Sequence, residues 1–122
     1  MIYVWTKGWK MPKTTARSYS RYTREATTLL GGLIRAARKE KALTLQELAD
    51  RVGVSRGLIQ RIEKGDTKCE IGAVFEAATV IGVTLFDAEE TTLTKHLRQN
   101  EDKLALLPKS VRKKSKEVYD DF

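Results

Sequence analysis

Thr44-Leu-Gln-Glu-Leu-Ala-Asp-Arg-Val-Gly-Val-Ser-Arg-Gly-Leu-Ile-Gln-Arg-Ile-Glu-Lys-Gly65 is the stretch that decides the fold. Thr44 and Glu47 form a Thr-x-x-Glu capping box, in which each side chain satisfies a backbone N–H that a helix start leaves free. Leu45, Leu48, Ala49 and Val52 then fall on one side of a short helix, and Gly53 supplies the positive φ that ends it. Ser55 caps a second helix, with Ile59 and Ile62 on its buried side, Leu58 at the edge and Gly65-Asp66 as its stop.

The solvent face of that second helix gives the pair its meaning. Arg56, Gln60 and Arg61 project there, and these side chains match the donor and acceptor edges of bases and phosphates. An αα-hairpin of an ordinary all-α protein has the same frame. The polar face and tight turn are instead those of a DNA-binding helix-turn-helix, whose second helix enters the major groove.

Outward from this pair, Leu29, Leu30, Leu33, Ile34 and Ala37 make an apolar stripe on a preceding helix. Gly31 and Gly32 weaken that helix unless another element packs closely against it. Ile71, Val74, Phe75, Ala78 and Ile81 make the stripe of a following helix that ends near Gly82. Val83, Leu85 and Phe86 should begin a further helical turn or close the domain. Cys69, at the mouth of the following helix, reads as a small half-buried residue.

Bulk properties exclude several classes. A chain of 122 residues, 41% hydrophobic, allows one modest core plus tails. One cysteine and one histidine leave no disulfide, metal set or nucleophile–base pair, so neither an enzyme nor a cofactor is expected. No apolar run is long enough to cross a bilayer and no small-molecule site is evident, which fits a cytoplasmic protein. The net charge of +7 suggests a polyanionic partner. Its excess lies at the start, where residues 1–25 carry six cations against Glu25; residues 26–87 carry nine cations and eight anions.

Residues 1–24 therefore form a basic, flexible arm, 25–87 the helical domain, and 88–122 a C-terminal helix and charged tail. The arm can follow the DNA backbone or enter the minor groove, or be a solvated terminus. Trp5 and Trp9 sit before Met11 without apolar partners, so Met11 is a candidate initiator. Leu93, Leu97, Leu104 and Leu107 are spaced 4, 7 and 3, with Asn100 filling the middle gap. That is a narrow seam near coiled-coil spacing, for a dimer or for packing onto the protein's own core. Pro108 ends it, and five cations follow within Lys109–Lys116.

With these residues in place, the chain resembles the Cro and phage-repressor, or xenobiotic-response-element, type of helix-turn-helix family. The signature is Leu33-Ile34-Arg35-Ala36-Ala37-Arg38, Leu43-Thr44, Glu47-Leu48-Ala49, Gly53-Val54-Ser55 and Ile62-Glu63-Lys64-Gly65. The resemblance implies an all-α, compact five-helix bundle that binds operator DNA as a homodimer. It implies base contacts from Arg56, Gln60 and Arg61, with Ser55, Gln46 and Lys64 as further DNA-binding residues. Arg38 and Glu63 match an ion pair tying the first helix to the third; the plain alternative is two solvated charges. Leu45 and Gly57 depart from the family, since both positions often carry contacting side chains. Glu70-Ile71-Gly72, Val74-Phe75-Glu76, Leu85-Phe86, Leu106-Leu107-Pro108-Lys109, Val111-Arg112-Lys113 and the acidic-Phe end resemble HipB-like antitoxins, which implies a HipA-type kinase toxin as partner. The other readings are a stand-alone repressor-like transcription factor, or a protein-interaction module with incidental DNA binding.

Overall fold

The computed structural model describes residues 18–113. Most of the basic arm, Trp5 and Trp9 included, and the end of the tail lie outside them. Five helices account for the secondary structure: α1 (Arg21–Glu40), α2 (Leu45–Val52), α3 (Arg56–Glu63), α4 (Ile71–Ile81) and α5 (Glu90–Leu106). The all-α expectation holds, with one isolated bridge, Leu85 to Ala88, among the described residues. The chain forms two compact units that meet between Val83 and Thr84.

α1 begins at Arg21, inside the stretch assigned to the arm, because Ser20 caps it: its Oγ accepts from the Thr23 backbone N–H at 3.3 Å. Its buried face also differs from the expected stripe. Gly31, Ile34 and Arg38 are buried, whereas Leu29 and Leu33 are exposed. The cause is Gly31. A Cβ there would run into the Ile62 carbonyl oxygen, and the Glu63 carbonyl and Gly65 nitrogen would lie 3.0 Å away. The missing side chain lets α1 lie against the end of α3, and this rotates Leu29 and Leu33 outward.

α2 and α3 follow the sequence pattern closely. The Thr44 Oγ1 accepts from Glu47 N at 3.0 Å, and Glu47 Oε1 accepts from Thr44 N at 2.8 Å. Gly53 takes φ +86° and returns its N–H to the Ala49 carbonyl at 2.8 Å. Ser55 Oγ accepts from Leu58 N at 3.1 Å and opens α3. The core of the unit joins Ile34, Leu48, Ala49, Ile59, Ile62, Ala77, Ala78 and Ile81. Burial of each large aliphatic side chain contributes about 1.5–3 kcal/mol.

α4 meets α1 and α2 through alanines. Ala73, Ala77, Ala78 and Ile81 are buried, while Ile71 is exposed and Val74 and Phe75 are half-buried. Small side chains allow close helix approach, so the wall is narrower than the Ile-Val-Phe stripe suggested.

In the second unit, residues 85–88 do not continue as helix. Phe86 and Asp87 both take positive φ, 57° and 54°, and Ala88 N donates to the Leu85 carbonyl at 3.0 Å, a tight turn. Glu89 is the N-cap of α5, without a side-chain capping bond. No residue of α5 is buried, and Leu93, Leu97 and Leu104 are exposed along it. Leu107 lies just past the helix in extended conformation, as a residue before proline prefers.

Candidate nucleic-acid interface

α3 buries only Ile59, Ile62 and Glu63. At about 100° per residue, the remaining arc carries Arg56, Gly57, Gln60, Arg61 and the capping Lys64, all of them exposed. Helix geometry thus brings Arg56, Gln60, Arg61 and Lys64 onto one surface, with Ser55 at its N-terminal edge. The Ser55 hydroxyl accepts one backbone bond and keeps its own O–H to donate. Gln46 stands on α2, where its Nε2 donates to Asp50 Oδ1 at 2.8 Å.

Arg61 is tethered. Its Nε donates to Asp66 Oδ2 at 2.9 Å, which leaves only the terminal nitrogens for a ligand. Asp66 in turn accepts from the Lys68 backbone N–H at 2.8 Å. That bond first, and Arg61 second, hold the Asp66 carboxyl below its ordinary value, and Asp66 pushes the Arg61 guanidinium up. The pair fixes the loop that carries α3 into α4. Nearby, burial raises the Cys69 thiol above its usual range, so it stays in the neutral form.

Behind α3, Arg38 of α1 is locked to Glu63. Nε lies 2.7 Å from Oε2 and Nη2 lies 3.0 Å from Oε1, while Nη1 donates to the Leu43 carbonyl at 2.8 Å. The two side chains are only 11% and 5% exposed, so they are not solvated surface charges. The hydrogen bond to Glu63 raises the Arg38 guanidinium further above its already high value, against the opposing effect of burial. One bidentate pair therefore ties α1, the α1–α2 turn and the end of α3 into a single frame.

This frame also places a residue that the sequence did not single out. Arg35 joins Arg38, Leu45, Gln60, Glu63 and Lys64 around a cleft of about 110 Å³. Glu63 is neutralised by Arg38, so the free charges at the cleft are the Arg35 and Lys64 cations. The available signal was the three-residue spacing of Arg35 and Arg38, which shares a helix edge. Such an arrangement offers hydrogen-bond donors to oxyanions and base edges. Among the described residues, no group of three or more His, Cys, Asp or Glu side chains could hold a metal ion, and no helix is long and apolar enough to cross a membrane.

A helix-turn-helix family model matches residues 34–87. No curated protein matches the chain. The matched segment runs from the core residue Ile34, through the Arg38–Glu63 pair and both helices of the reading unit, to Asp87, the last residue of the expected domain. Residues 34–87, a little under half of the chain, are thus similar to the helix-turn-helix family, a likeness that supports a DNA-binding transcription regulator.

Proposed function

We propose that the chain is a sequence-specific repressor that binds operator DNA as a homodimer, with α3 in the major groove. The observation that carries this is the face of α3, where Arg56, Gln60, Arg61 and Lys64 stand exposed beside a capped N-terminus while the opposite face fills the core. In this reading Arg56 leads base contact, Gln60 and Arg61 add to it, and Ser55, Gln46, Lys64 and Arg35 take phosphates. A competition gel shift on the protein's own promoter tests it: specific binding should persist against excess unrelated DNA. Arg56→Ala should cost about 1–3 kcal/mol at one base position and relax specificity there. Equal losses for every single-base operator variant would remove Arg56 from that role. No specific shift at all would favour a protein-interaction module.

The finer reading is a HipB-like antitoxin that represses its operon and holds a HipA-type kinase toxin. Its support is the resemblance of residues 70–76, 85–86 and 106–113 to such antitoxins, apart from the reading helix itself. Co-expression with a kinase-like product of the adjacent gene tests it. A complex that survives purification and silences the kinase is the expected result; an unbound kinase returns the chain to the stand-alone repressors.

A further inference from the structure

We propose that α5 pairs with α5 of a second copy as a parallel, in-register coiled coil, with the two Asn100 side chains hydrogen-bonded to each other in the seam. The inference rests on the homodimer reading above and adds which surface makes the dimer and in which direction. Leu93, Leu97, Asn100 and Leu104 recur along α5 at steps of 4, 3 and 4, and Leu107 follows three residues later at the helix end. This is the alternation of core positions in a heptad repeat. Leu97 and Leu104 are each 58% exposed, and no residue of the helix is buried. Leu93, His96, Leu97 and Asn100, together with Phe86, line an open groove of about 460 Å³ on this edge.

Asn100 decides the orientation. A parallel in-register pair sets each core residue opposite its own copy, so Asn100 meets Asn100 and both amides find a partner. An antiparallel pair sets the two kinds of core position opposite each other, and Asn100 then faces Leu97 or Leu104. A buried amide without a partner is expensive, so that arrangement is disfavoured. The flanks agree. Parallel pairing sets His96 beside Glu101 of the second copy, five residues on, whereas the antiparallel register that joins Leu93 to Leu104 sets His96 beside Lys103 instead. At 17 residues the helix offers only about two and a half heptads, so pairing should be concentration-dependent and assisted by a two-fold DNA site.

The test uses the full chain. Sedimentation equilibrium should show a monomer–dimer equilibrium, and Leu97→Asp should remove the dimer without changing the helical circular dichroism of the folded unit. In a Cys69→Ser background, Leu93→Cys should give a disulfide-linked dimer on mild oxidation, because residue 93 meets its own copy only in the parallel register. In the same background, Asn100→Leu should retain dimers but let a chain carrying Leu93→Cys also cross-link to one carrying Leu104→Cys, the antiparallel product. A wild-type dimer that yields only that mixed product overturns the orientation, and an Asn100→Leu dimer that stays purely parallel overturns the role of Asn100. A monomer at every concentration overturns the seam and the homodimer reading together. The gel shift on operator DNA reports separately whether the DNA-binding reading stands.

Discussion

Removing Arg38 while keeping Glu63 should be among the most damaging single changes in the helix-turn-helix unit. In Arg38→Met the side-chain volume stays similar, but a carboxylate that is 5% exposed loses two charged donors at 2.7 and 3.0 Å, and the Leu43 carbonyl loses a third at 2.8 Å. Breaking a buried pair from one side costs about 3–5 kcal/mol. A unit of this size has roughly 3–10 kcal/mol in all, and each kcal/mol moves its melting point by roughly 4–8 °C. Urea titration should therefore show the variant partly unfolded at 25 °C, with a melting point lowered by roughly 12–40 °C. Arg38→Met with Glu63→Met should be far less damaging than the sum of the singles, leaving chiefly the unpaired Leu43 carbonyl at about 1–3 kcal/mol. Single-variant losses under 1 kcal/mol that simply add in the double variant would refute the reasoning.

Other expected outcomes follow from the same geometry. Gly31→Ala should destabilise by about 1–3 kcal/mol, because its Cβ meets the backbone of Ile62, whereas Gly32→Ala, with nothing within 4 Å, should stabilise α1 by about 0.5–1 kcal/mol; paired thermal melts decide it. Thr44→Ala should cost about 1 kcal/mol by removing the Glu47 N–H acceptor, measured by urea unfolding at pH 7. Asp66 has a depressed folded-state pKa, so its contribution is complete above its unfolded value of 3.8 and fades as pH falls through the folded value. Wild type and Asp66→Asn should therefore differ at neutral pH and converge at the acid end of a stability–pH curve.

The α2–α3 pair was legible because its determinants are local: a capping box, a glycine at positive φ and a serine cap all act within four residues. The flanking helices were legible as helices but not in their facing. Leu29, Leu33 and Ile71 outweigh Gly31, Ala73 and Ala77 in any apolar pattern, yet close packing selects the small residues and leaves the large ones outside. The start of α1 escaped because Ser20 is followed by Thr23 rather than by the Glu of a capping box. The turn at 85–88 escaped because Phe86 and Asp87 lack the Asn-Gly chemistry that announces two consecutive positive φ values. Arg35 shares a helix edge with Arg38, but only the approach of α1 to α3 brings that edge to the cleft.

The same tertiary facts sharpen how α3 would read DNA. Gly57, near the middle of its exposed arc, carries no side chain. Arg61 spends its Nε on Asp66, and Gln60 lies in the cleft with Arg35 and Lys64, so both add to base contact less freely than Arg56. Leu45, which lines that cleft, has no donor to offer. Arg56 is then the one long side chain of the arc that neither pairs with another described residue nor lines this cleft. Sequence discrimination in the proposed complex would rest chiefly on Arg56 and on DNA shape, while Arg35, Lys64 and the serine cap supply salt-dependent affinity that is blind to sequence. A reading face this sparse discriminates weakly in one copy, so two copies held on a two-fold site are what would make it selective.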